Sequence, residues 1–121
     1  ALADAGTVLA FGSDCPVETL DPLAGIHAAV TRQRPDGTPA GGWRAAMCLT
    51  PCEAVRGYTW GVAYAAGEER IRGTVAPGKV GDLVVLSHDI FRVPPPAILE
   101  ARVVATICGG RLVYAPPAEW P

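Results

Sequence analysis

Apolar residues follow different rhythms along this chain, and each rhythm predicts a different element. Thr7-Val8-Leu9-Ala10-Phe11 is an apolar run without polar alternation, the pattern of a parallel strand covered on both faces. Gly12 ends it. Leu23, Ile26, His27 and Val30 then recur at i, i+3, i+4 and i+7, which is one stripe of an amphipathic helix. Asp21 as N-cap and Pro22 at the first helical position give that helix a defined start, and the pattern runs to about Gln33. His27 lies on the stripe and reads as a core histidine with one ring nitrogen satisfied by a backbone group, in preference to a metal ligand or base.

From Arg34 to Leu49 the periodicity disappears into Pro35-Asp36-Gly37-Thr38-Pro39-Ala40-Gly41-Gly42, a string of turn formers. Exposed loops of this length are often binding loops or lids. Trp43 and Arg44 near its end are therefore candidate substrate contacts, although Trp43 reads in preference as an anchor for the loop. Thr50-Pro51-Cys52-Glu53 is a capping box that opens a second helix. The box accounts fully for Glu53, which would otherwise be tempting as a general acid. Ala54, Val55, Tyr58, Val62 and Ala65 mark the expected buried face. Gly57 and Gly61 allow close packing or a break near Trp60, and Gly67 is a plausible C-cap.

After Gly67 the character turns to strand. Pro77-Gly78-Lys79-Val80 leads into the β-branched run Gly81 to Leu86, Ser87-His88-Asp89 makes a polar turn, and Pro94-Pro95-Pro96 opens a short helical piece over Ala97 to Ala101. Arg102 to Cys108 and Arg111 to Tyr114 read as a hairpin around Gly109-Gly110. Lys79 with Asp82, and His88 with Asp89, resemble catalytic pairs only superficially. The spacing around Lys79 is not that of a phosphate-binding loop, and both pairs read as structural turns.

Composition narrows the classes. A chain of 121 residues can bury one modest core, and with half its residues hydrophobic it is neither disordered nor fibrous. Ten basic against twelve acidic residues leave a formal charge of -2. With no run of like charge, nothing points to nucleic acid or to an anionic membrane as a partner. No apolar stretch approaches the ~20 residues of a membrane span and no secretory leader pattern opens the chain, so the expectation is a cytoplasmic protein. Cys15, Cys48, Cys52 and Cys108 read as reduced thiols. Cys48 and Cys52 lack the two further ligands at matched spacing that a structural zinc would need.

Asp14 is the first candidate for chemistry, because it follows the end of the first apolar run, and in parallel α/β folds catalytic side chains gather at that edge. On spacing alone it reads as a brace in a βα loop in preference to a catalytic group, because a single carboxylate near a strand end is a weak signal. A wider pattern bears on it. Phe11-Gly12-Ser13-Asp14-Cys15-Pro16-Val17, Asp21-Pro22-Leu23, Ala29-Val30-Thr31-Arg32 and Pro77-Gly78-Lys79-Val80-Gly81-Asp82-Leu83-Val84-Val85-Leu86 occur in this order. Together they resemble the C-terminal end of the metal-dependent amidohydrolase superfamily, in the branch called amidohydrolase family 3 or YtcJ-like.

The resemblance implies an α/β chain that is the C-terminal fragment of a (β/α)8 barrel, strand 8 and the following helices, plus part of a small β-sandwich. Residues 1–67 would be the end of the barrel, 68–114 the C-terminal part of the composite sandwich, and 115–121 a tail. It implies that Val8 to Phe11 is the eighth strand, and that Asp14 is both a metal ligand and the catalytic general base in hydrolysis of a carbon-nitrogen bond of a small amide-type substrate. A divalent metal, commonly zinc, would lower the pKa of a bound water from ~15.7 to about 7.

The sequence departs from that chemistry. It has no His-x-His and only two histidines, and its single lysine, Lys79, lies in the β-rich half. One carboxylate does not hold a catalytic zinc. The chain also starts Ala1-Leu2 with no initiator Met. The expectation is thus a fragment that is inactive alone, binds no metal tightly, and associates with itself through exposed apolar edges. The rival expectation is a noncatalytic α+β association module.

Overall fold

The side chain of Asp21 fixes where the first helix begins: its Oδ1 accepts from the Leu23 amide at 2.9 Å, with Pro22 at the first helical position. In this computed structural model, which describes residues 2–116, α1 spans Pro22–Thr31 and buries Leu23, Ile26 and His27. It stops two residues before the expected Gln33, and local chemistry explains why. The Thr31 hydroxyl donates to the His27 carbonyl and accepts from the Gln33 amide, while Arg32 turns into the left-handed region at φ 57°.

A short 3-10 turn, Ala45–Met47, interrupts the expected long loop. At the next helix both halves of the capping box form: Glu53 N donates to Thr50 Oγ1 at 3.2 Å and Thr50 N to Glu53 Oε2 at 2.7 Å. Helix α2 (Pro51–Arg56) passes through a π-helical turn (Gly57–Gly61) into α3 (Val62–Ala65). The wider turn rephases the face that follows. Ala54 is buried as expected and Val55 and Tyr58 are half-buried, but Val62 and Ala65 rotate out to solvent and Ala63 takes the inner position. Gly67 lies just past the end at φ 70°.

The expected strand over Val8 to Phe11 does not form within this chain. Thr7 to Ser13 carries no strand pairing, and Val8 is exposed. A parallel strand exists only through its neighbours on the sheet, and among the described residues none lies beside this segment. The segment crosses the helical arm instead, with Phe11 N donating to the Gly57 carbonyl at 3.2 Å. A side chain on Gly61 would collide with the Leu9 carbonyl, and one on Gly57 with the Phe11 ring, so these two glycines provide the close approach their spacing suggested.

Strands β1 (Leu83–Leu86), β2 (Val103–Cys108) and β3 (Arg111–Tyr114) form an antiparallel sheet in the order β1-β2-β3. Gly109 and Gly110 make the tight turn at φ 57° and 78°. That turn is tied back to the start of β1, with Gly110 N donating to Gly81 O and Gly109 N to Asp82 Oδ1. Between β1 and β2 a 3-10 segment, Pro95–Glu100, buries Ile98. The core joins Leu23 and Ile26 of α1 to Ala54, Ile90, Ile98 and Ala101. The sheet itself is thinly covered, leaving Val84, Leu112, Val113 and Tyr114 exposed. The tail expected over 115–121 lies, from 117 onward, outside the described residues.

Candidate functional site

Asp14 stands just beyond the segment that crosses Gly57 and Gly61, with its carboxylate exposed to solvent. Its backbone is left-handed, at φ 51°. Asp tolerates that region better than most residues, yet a non-glycine residue there is uncommon and recurs where a side chain must be aimed. The loop is closed by Val17 N donating to the Asp14 carbonyl at 2.8 Å. The neighbouring Gly12 leaves room for the carboxylate: an added Cβ would lie 2.9 Å from Asp14 Oδ1.

Tyr58, on the π-helical turn, reaches toward this loop. Its ring packs against Phe11 at a centroid distance of 5.5 Å, and its hydroxyl occupies the space that a side chain at Gly25 of α1 would fill. Burial raises the phenol above its ordinary pKa, and the Asp14 charge raises it further. The Tyr58 hydroxyl is therefore neutral and able to donate. It borders a cavity of about 340 Å³, whose rim also includes Gly12, Ser13 and Arg34.

The remaining candidates lie elsewhere. His27 sits in the interior of α1 at 3% exposure, where burial lowers its pKa. The backbone partner expected for its ring is missing at Nδ1, which is buried without a hydrogen bond among the described residues. His88 bridges Ser87 Oγ and the Ala97 carbonyl and so holds the 3-10 segment. Lys79 Nζ donates to the Glu69 carbonyl at 2.6 Å, and Asp82 receives the Gly109 amide. Both pairs brace the β-rich half, as their spacing suggested. Glu53 is engaged by the capping box. Trp43 is 58% exposed, with the guanidinium of Arg32 at 4.8 Å and that of Arg44 at 5.0 Å from its ring.

Sequence reasoning placed Tyr58 on a core face. A signal for Tyr58 was present in Gly25, a position where a helix would normally carry a side chain. As for a metal, no three His, Cys, Asp or Glu side chains among the described residues come together to hold an ion. Asp14 fits as one donor, and these residues do not themselves make a complete centre.

Comparison with known proteins gives this site its context. The amidohydrolase family matches residues 1–114. YtcJ of Bacillus subtilis (strain 168), an amidohydrolase by name, is 35% identical over 113 residues, covering 93% of this chain and 21% of its own length. The N-substituted formamide deformylase of Arthrobacter pascens is 32% identical, with 93% of this chain and 20% of the relative covered. An imidazolonepropionase of Porphyromonas gingivalis is 33% identical, with 93% and 24% covered. In structure, an amidohydrolase from Thermotoga maritima MSB8 superposes with a TM-score of 0.65 at 23% identity, covering 95% of this chain and 25% of that one. The chain belongs to the amidohydrolase family, and it spans about a fifth of the length of the first of these relatives.

Proposed function

We propose that this chain supplies one wall of a hydrolytic centre that cleaves carbon-nitrogen bonds in small amide-type substrates, with Asp14 as its proton-carrying group. The carrying observation is the exposed Asp14 carboxylate on a left-handed backbone turn, beside a cavity and in a loop kept clear by Gly12. Ionised, the carboxylate takes a proton from the water whose oxygen attacks the carbonyl carbon. Protonated, it returns that proton to the nitrogen as the carbon-nitrogen bond breaks, leaving an acid and an amine. The names of the formamide deformylase and the imidazolonepropionase support a carbon-nitrogen bond as the target.

Asp14 would also be one donor to a divalent metal, commonly zinc, which when bound polarises the carbonyl and acidifies water. The donors still required would come from residues outside these 121, so the isolated chain is inactive and holds no metal tightly. Metal content tests this part of the reading. In the full-length protein Asp14→Ala lowers the bound divalent metal per chain; unchanged metal content contradicts the ligand role, and stoichiometric tight metal on the isolated chain contradicts its incompleteness.

A second reading, association, is favoured by the uncovered sheet with Val84, Leu112, Val113 and Tyr114. The isolated chain should self-associate through it, and a monomer by sedimentation at high concentration contradicts that. The unpaired thiols of all four cysteines are consistent with a cytoplasmic setting. No helix among the described residues is long and apolar enough to cross a membrane.

A further inference from the structure

Tyr58 touches both flanks of the loop that carries Asp14. On the entering side its ring rests on Phe11, with centroids 5.5 Å apart and planes tilted by 58°. On the leaving side its hydroxyl fills the notch at Gly25 of α1, and the ring carbon bearing that hydroxyl lies 2.8 Å from where a Cβ would stand. Residues 12–21, with Asp14 among them, run from one contact to the other. A single side chain thus spans the two ends of the loop.

The platform under Tyr58 is itself fixed. Gly57, the residue before it, accepts from Phe11 N at 3.2 Å and is packed so closely on the Phe11 ring that no side chain fits there. Phe11 in turn passes directly into Gly12, where an added Cβ would lie 2.9 Å from Asp14 Oδ1. Within the loop, Val17 N donates to the Asp14 carbonyl at 2.8 Å. Burial and, after it, the Asp14 charge raise the pKa of the phenol, so the carboxylate lies within electrostatic reach of the hydroxyl.

We propose that Tyr58 is a positioning residue, which holds the Asp14 loop in place for amide hydrolysis by wedging its ring against Phe11 and its hydroxyl against Gly25. The proposal rests on the reading of Asp14 given above and deepens it. Tyr58 acts through Asp14 and touches no reacting atom. Without the wedge the loop shifts, and a small misplacement of a reacting group is expensive in rate. Such a loss falls on kcat and spares KM, because the misplaced group works only in the transition state.

Two measurements on the full-length protein test this. In hydrogen exchange, Tyr58→Leu should speed exchange of the Val17 amide by about tenfold or more. The amide of Ala54, bonded to Thr50 O at the start of α2, should exchange as in the native protein. In kinetics with N-butylformamide, Tyr58→Leu should lower kcat about tenfold and keep KM within about twofold of native. Tyr58→Phe keeps the ring on Phe11 and should retain about a third of native kcat, so it carries the test if Tyr58→Leu does not fold.

Asp14→Asn separates the two readings. Combined with it, Tyr58→Leu should lower kcat no further, since both changes act on one step. Native turnover in Asp14→Asn overturns the Asp14 reading and this proposal with it. Where Asp14→Asn loses about 100-fold, three results overturn this proposal alone. They are native kcat in both Tyr58 variants, losses that multiply in the double variant, and equal acceleration of exchange at Val17 and Ala54.

Discussion

A methyl group added to Gly12 would stand 2.9 Å from Oδ1 of Asp14, closer than a carbon and an oxygen tolerate. The carboxylate is the movable end of an exposed side chain, so it gives way while the backbone stays. Gly12→Ala in the full-length protein is therefore expected to cost little stability and to lower kcat by about tenfold or more, because small misplacements of a catalytic group are expensive. Steady-state kinetics with a urea melt alongside checks both halves. Native kcat, or a kcat loss matched by unfolding, contradicts the geometry.

At Gly25 the obstacle is less forgiving. An added Cβ there collides with the hydroxyl of Tyr58 and lies 2.8 Å from the ring carbon that bears it. The ring is wedged against Phe11, so overpacking outweighs the helix propensity gained from alanine. Gly25→Ala is expected to destabilise by about 1–2 kcal/mol. Adding Tyr58→Phe should recover part of the loss, since the hydroxyl leaves but the ring carbon remains. Urea midpoints of the two variants decide this, and equal losses contradict it.

The buried imidazole of His27 gives stability a distinctive pH dependence. Burial lowers its folded pKa below the ordinary 6.5, so around that pH the unfolded chain takes up a proton more readily. Stability should fall as pH drops from about 6.5 toward the lowered folded value and then level off. His27→Leu should remove this loss, measured as the difference in urea midpoint between about pH 7.5 and about pH 5.5. A separate acid window belongs to Glu53, whose pKa is held below 4.5 by the Thr50 amide and hydroxyl. Its contribution is present above the ordinary value and is lost as pH falls through the lowered one, so Glu53→Gln should flatten only that region. A native-like loss near pH 6 in His27→Leu contradicts the assignment.

The parts of this fold legible in the sequence are those fixed by chemistry within a few residues. Asp21-Pro22 set the start of α1, Thr50 and Glu53 set the start of α2, and Gly109-Gly110 set the hairpin, because the same atoms make each cap or turn whatever surrounds them. The run from Val8 to Phe11 was not decidable in this way. Its apolar pattern states that both faces want cover, but pairing depends on neighbouring strands. The π-helical turn at Gly57–Gly61 was equally hidden, and past it Ala63 takes the inner position in place of Val62 and Ala65. A helical wheel assumes an even period, and one widened turn breaks it.

The site divides along the same line. Asp14 drew attention through its place after an apolar run and through the resemblance of its surrounding motifs. Tyr58 did not, because its relevance lies in the space between separate elements: a phenol from the π-helical turn set against α1. Such relations appear only when the segments are placed together.

The central claim is that the Asp14 carboxylate carries the proton in amide hydrolysis. Asp14→Asn keeps the size and shape of the side chain and removes its basicity, so kcat for amide hydrolysis by the full-length protein is the direct measurement. The account predicts a fall of about 100-fold or more with the protein still folded. Turnover within a few fold of native would contradict it.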